Sequence, residues 1–228
     1  MNLHDEAPTL GVVTESSQTA DRGRGFMLYA DAHCHTNPVK GLGASTVAKK
    51  FREVGGWFAA LVSLPPYHYG LTGGKFEDYV KAAEILLAEK RKFEEAGIKV
   101  KAFMGFHPAE VDEYAKRGMD PQQILNLAES VLNLVVKYCR EGLLDGIGEV
   151  GRQHYSTAPA RLVLSELILL RALTYARDHD LSVHLHLEQG GFTTVYSIKR
   201  LAELTGVRSE LLLFHHVDYS TGLWCERE

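Results

Sequence analysis

Several of the 11 histidines in this 228-residue chain stand where an apolar run stops. The first such place is Asp31-Ala32-His33-Cys34-His35, which follows Phe26-Met27-Leu28-Tyr29-Ala30. Alternate side chains of an extended strand share a face, so Asp31, His33 and His35 are expected on one side. Two imidazoles so placed can hold a divalent metal, with Asp31 available to orient a ring. The same stretch taken alone suits a surface strand with two solvated histidines. Further along stand His107, Glu149, the pair His184 and His186, and the pair His215 and His216. Neutral imidazoles with a carboxylate accept Zn, Mn, Mg or Fe, and a carboxylate can bridge two ions. Such ions lower the pKa of a bound water and clamp the oxygens of a phosphoryl or acyl group. One or two divalent metal ions are the expected cofactor.

What must position these groups is an alternation of strands and helices. Apolar runs at 57–64, 98–106, 143–150, 181–187 and 211–214 follow the first strand. Between them lie helical patterns at 45–54, 76–96, 121–140, 160–178 and 193–205, with Asp120 as N-cap and Pro121 at N1 of the third. Strands joined by such helices imply right-handed parallel crossovers, and parallel sheets collect ligands at the carboxyl ends of their strands. Those ends carry His33 with His35, His107, Glu149, His184 with His186, and His215 with His216. That coincidence favours the metal site over scattered surface histidines. The fold class expected is α/β, a (β/α)8 TIM-barrel type. Only six strands are counted up to Glu228, so a barrel truncated after about six βα units is expected.

Composition removes other classes. The net charge of −4 provides no basic field to gather nucleic acid, so a phosphate function must rely on metals or a local cation. Cys34, Cys139 and Cys225 show no CxxC spacing, which speaks against a disulfide framework and points to a reducing cytoplasm. Cys34 is expected to face away from the flanking histidines, which makes covalent catalysis there a minor reading. No apolar run reaches membrane-spanning length without charge. Gly148–Gly151 is too short for a phosphate loop. Residues 1–25 lack apolar periodicity and are expected to form a flexible extension, leaving 26–228 as the domain.

DAHCH at 31–35, GFHP at 105–108, IGEVG at 147–151 and LSVHLH at 181–186 occur in that order. Together they resemble the TatD family of metal-dependent hydrolases, within the amidohydrolase-like barrel superfamily, over roughly residues 27–220. The resemblance implies that His33, His35, Glu149 and His186 are metal ligands, with Glu149 bridging. It implies a sixth-strand ligand, for which His216, just before Val217-Asp218-Tyr219, is favoured over His215. It places His107 near the substrate, while His184, deeper on the same face as His186, reads as a buried core histidine. Two departures stand out: Gly151-Arg152-Gln153 replaces the family's Gly-Leu-Asp, and Leu187-Glu188 follows His186 where an Arg is usual. Arg152 is the residue expected to supply a substrate-binding charge instead. The family's eighth-strand Asp, a metal ligand and general base, has no counterpart here. The function implied is a metal-dependent hydrolase with a metal-activated water, a deoxyribonuclease or phosphoesterase acting on single-stranded or 3'-end DNA or a small molecule. The alternatives are amidohydrolase-type cleavage of a C–N or C–O bond, and a truncated, non-catalytic metal-binding fragment.

Overall fold

A computed structural model describes residues 27–227; the expected extension at 1–25 lies outside them. The chain runs β1 (Tyr29–Cys34), α1 (Gly43–Glu53), β2 (Gly56–Val62), α2 (Phe76–Glu95), β3 (Lys99–Met104), α3 (Pro108–Lys116), α4 (Pro121–Arg140), β4 (Gly146–Gly151), α5 (Pro159–His179), β5 (Ser182–His186), α6 (Phe192–Thr205), β6 (Leu212–His215) and α7 (Tyr219–Cys225). The six strands form one sheet in the order β1-β2-β3-β4-β5-β6. Every pairing is parallel, as crossover helices require.

The sheet is strongly curled. Edge strands five steps apart in a flat sheet would lie ~24 Å from each other. Here the rings of His33, on β1, and His215, on β6, stack with centroids 3.5 Å apart. The curl therefore brings both edges toward one axis and yields six consecutive units of a TIM-barrel arrangement. Helices cover the outer face. Leu61, Met104, Ile147, Val183 and Leu185 share a core with Leu86, Phe93, Ile124, Leu132, Leu169 and Leu173 of α2, α4 and α5. Ala60, Val62 and Phe103 form a separate small cluster on the inner face, because neighbouring strand residues point to opposite sides. β4 is buried along its whole length, as a strand enclosed on both faces must be.

Two short helices were not foreseen. His107-Pro108 reads as a turn in sequence, yet Pro108 occupies N1 of α3 and His107 is its N-cap. Glu110 completes the capping box, with the His107 N–H donating to its Oε2 at 2.8 Å. At the far end, 219–225 carries little apolar pattern, but the Asp218 side chain accepts from the Thr221 N–H at 2.8 Å and starts α7. β1 also runs later than its apolar stretch suggests, and a register irregularity between Asp31 and Cys34 breaks its even alternation. Among the described residues no helix is long and apolar enough to cross a membrane.

Candidate metal centre

Glu149, 4% exposed, lies at the middle of the strand ends. The His186 Nδ1 stands 2.8 Å from its Oε1, the His215 Nε2 3.2 Å and the His33 Nε2 3.8 Å. On the other oxygen, His35 Nε2 lies at 3.5 Å and His107 Nε2 at 3.9 Å. Glycine lets the strands approach closely enough for this. A Cβ on Gly148 would meet the His184 Cβ at 2.5 Å, and Gly151, at φ +152°, passes against the His186 carbonyl. The IGEVG sequence is thus a packing requirement for bringing Glu149 and His186 together.

Hydrogen bonds set the ring tautomers. His35 Nδ1 lies 2.8 Å from the Val62 carbonyl, which can only accept, so Nδ1 carries the proton. Its Nε2 is then a bare lone pair, the form a metal needs. His107 is the reverse: its Nδ1 accepts the Ala109 N–H at 3.0 Å. In the neutral ring Nε2–H is therefore a donor, and the nearest acceptor to it is His186 Nδ1 at 3.2 Å. His33 Nδ1 meets His184 Nδ1 at 3.3 Å, while its Nε2 faces His35 Nε2 at 3.1 Å. If His33 donates from Nδ1, two lone pairs and a carboxylate face one another with no proton between them. A divalent cation resolves that repulsion. A further sign is the buried His186 Nε2, which has no hydrogen-bond partner.

The charge states suit the same purpose. Burial alone would raise the Glu149 carboxyl, but the His186 hydrogen bond and the surrounding imidazoles outweigh it and hold the group well below its ordinary range. Burial pushes His33 and His107 down to about 3, against the opposing pull of Glu149. His184 and His215 are lowered to about 4, again chiefly by burial. At neutral pH Glu149 is ionised while His33, His107, His184 and His215 are neutral, so His33 and His215 need no deprotonation before metal enters. Two three-residue sets bring their ligand atoms within 4.8 Å of one another: His33 with Glu149 and His215, and His107 with Glu149 and His186.

The remaining residues singled out in sequence fall as follows. Of the sixth-strand pair, His215 stands against Glu149; His216 turns aside at φ +60° and stands with His154 and His186. Asp31 orients no imidazole, since its carboxylate accepts the His33 backbone N–H at 3.0 Å. The Arg152 guanidinium is held by Glu188 at 2.7 Å, Ser197 at 2.9 Å and Glu166 at 3.3 Å. It is buried behind the site and committed to carboxylates. His184 packs on Phe103 with centroids 4.3 Å apart and backs His33. Cys34 packs against the apolar core. Glu110, which fixes the His107 backbone, was missed in sequence, although His-Pro-x-Glu at 107–110 has the spacing of a capping box.

A curled parallel sheet with helices on its outer face is the fold of a TIM-barrel protein, and the histidines and one carboxylate gathered at its carboxyl ends could hold a metal. A family model described as TatD related DNase matches residues 30–223, and the chain belongs to that family. An uncharacterized protein of Methanocaldococcus jannaschii, MJ1127, is 29% identical over 189 residues, which cover 82% of this chain and 64% of the relative. The chain thus spans less than two thirds of that relative's length. Similar solved structures include a triple mutant of an organophosphorus hydrolase from Deinococcus radiodurans, with TM-score 0.47, 11% identity and coverage of 82% of this chain and 56% of that one. A xylose isomerase domain protein from Planctomyces limnophilus matches with TM-score 0.40, 17% identity and coverage of 85% and 64%.

Proposed function

We propose that the strand-end cluster is the centre of a divalent-metal-dependent hydrolase acting on phosphate esters, with single-stranded or 3'-end DNA as the substrate class. The observation that carries this reading is the ring of five imidazole nitrogens within 4 Å of one buried carboxylate. His33, His35, Glu149, His186 and a sixth-strand histidine would hold the metal, with His215 better placed toward Glu149 than His216. A bound divalent ion supplies Lewis-acid activation of water and neutralises charge on the scissile group. Glu149 fixes the imidazoles around it and offsets the cation's charge. Val62 and His184 orient His35 and His33. The His107 Nε2–H stands against His186 Nδ1 at 3.2 Å, beside the cavity, and can turn from that ring to a substrate oxygen. Arg152, held by its carboxylates, leaves His107 and the metal as the electrophilic groups.

The test is hydrolysis of single-stranded DNA, bis-p-nitrophenyl phosphate and simple amides with Zn2+, Mn2+ or Mg2+ added. Phosphodiester cleavage that a chelator abolishes and Glu149→Gln lowers by ~100-fold or more supports the proposal, a loss typical of removing a key electrostatic group. Cleavage of amides alone would favour the C–N hydrolase. Metal uptake without turnover on any substrate would mean a binding protein.

A further inference from the structure

Phe192 and Tyr196 stand one turn apart on α6, which puts both rings on one face of the helix. Their centroids lie 5.2 Å apart, with planes only 23° from parallel. Trp224 of α7 meets the Phe192 ring at 5.0 Å and 64°, so three rings form one cluster across the two helices. Burial does not account for them. Phe192 and Tyr196 are each 45% exposed, whereas Val195 and Ile198 of the same helix are 4% and 1% exposed. The other exposed positions in the first turns of α6, Thr193 and Arg200, are polar. What this part of the helix presents outward is therefore ring surface rather than an aliphatic stripe.

The cluster adjoins the candidate centre. The loop from β5 to α6 runs through Glu188, Gln189 and Gly190, which line a cavity of about 440 Å³ together with His154 and His216. The His216 ring lies 4.8 Å from that of His186, so the cavity opens beside the strand ends. The same loop is fixed to the start of α7: the Gly191 N–H donates to Thr221 Oγ1 at 3.1 Å. Gly191 also runs against the cluster, because a Cβ there would stand 3.9 Å from Trp224 Cδ1. Phe192 is three residues beyond Gln189, so at most ~11 Å of chain separates the rings from the cavity wall. Cavity and rings thus form one continuous surface leading away from Glu149.

We propose that Phe192, Tyr196 and Trp224 are a base-stacking platform for the nucleotides that flank the scissile phosphate of a single-stranded nucleic acid, the strand leaving the centre through this cavity. The proposal rests on the phosphodiesterase reading of the strand-end cluster for its purpose, but the stacking itself needs no metal. Every nucleobase has a π-face, so such rings hold a strand without reading its sequence. Bases within a duplex are stacked on one another and cannot meet the rings, which selects single strands. The backbone between the bases needs a cation, and a net charge of −4 supplies no general one. Arg152 is committed to Glu188 and Glu166. The exposed Arg227 meets the need locally, its guanidinium carbon 5.2 Å from the Trp224 ring centre.

The chain has two tryptophans, and Trp57 stands at the start of β2, the end of the sheet away from the histidines. Trp57→Phe in the whole chain therefore leaves Trp224 as the only tryptophan reporter. The experiment titrates this protein with a short oligothymidylate, with an abasic strand of equal length and with a blunt duplex, a chelator being present to prevent cleavage. Trp224 fluorescence is read, and Tyr196→Ser and Tyr196→Phe are compared in the same background. The expected result is saturable quenching by the single strand and none by the abasic strand or the duplex. Its dissociation constant should rise at least ~5-fold in Tyr196→Ser and stay unchanged in Tyr196→Phe. Tyr196 is half exposed, so matching circular dichroism is expected and checks folding. No quenching by the single strand, equal quenching by the abasic strand, or unchanged affinity in Tyr196→Ser would overturn the platform. The quenching pattern as predicted, from a chain that cleaves no phosphodiester with any metal added, would keep the platform and remove the hydrolase reading. Cleavage of single-stranded DNA without that pattern would remove the platform alone.

Discussion

Glu110 links the fold to the site through a titration that can be measured. Its carboxylate is 1% exposed and receives the Tyr79 hydroxyl, the Tyr114 hydroxyl at 2.9 Å and the His107 N–H at 2.8 Å. Burial raises its pKa more than these donors lower it, leaving the group at about 7 against an ordinary 4.5. An acid whose pKa is raised by folding stabilises the protein least when ionised. Stability from this group is therefore complete below about pH 4.5, falls as pH rises and levels off above about pH 7. The full effect is on the order of 3 kcal/mol, and most of it falls between pH 5 and pH 8. Glu110→Gln keeps the shape and an acceptor but cannot ionise. Urea unfolding of both proteins across that range should show the variant gaining on wild type by ~2–3 kcal/mol as pH rises. Parallel stability curves for the two proteins would refute the reasoning, because every other titrating group is common to both.

Three further outcomes are expected. His33, His107, His184 and His215 have pKa values lowered by burial, so the stability that their neutral forms provide is present above pH 6.5 and lost as pH falls toward 3–4. Thermal melts with a chelator should drop between pH 7 and pH 5, and an unchanged Tm would contradict their burial as neutral rings. Gly148→Ala forces a Cβ to 2.5 Å from that of His184 and should cost ~1–3 kcal/mol in urea unfolding, whereas full stability would mean β4 and β5 can separate freely. Arg152→Met removes the partner of Glu188 and Glu166, whose side chains are 37% and 43% exposed, so solvent screening limits the loss to ~1–2 kcal/mol. Metal uptake should be unchanged, and a variant that loses metal but not stability would return Arg152 to the site.

Much of the architecture was legible because period and punctuation agree. Asp120 and Pro121 announce the start of α4, and the buried apolar runs mark β2, β3 and β5. The strand-end rule then gathered His33, His35, His107, Glu149 and His186 without any knowledge of distances. What sequence could not provide was direction at irregular backbone. His215 and His216 are adjacent, and only the left-handed turn at His216 separates their surroundings. Arg152 looked like a free cation because its acceptors, Glu166 and Glu188, come from α5 and the loop after β5. The bulge after Asp31 likewise redirects a side chain that even alternation would aim at the rings.

Everything proposed for this site requires that the strand-end histidines and Glu149 hold divalent metal. The most direct measurement is elemental analysis of the folded chain after equilibrium dialysis against Zn2+ or Mn2+, beside His35→Ala and Glu149→Gln. Tight uptake of one or two ions by wild type, with clear loss in both variants whose circular dichroism is unchanged, is the result predicted. Folded wild-type protein holding no metal above background, or variants holding as much as wild type, would contradict it.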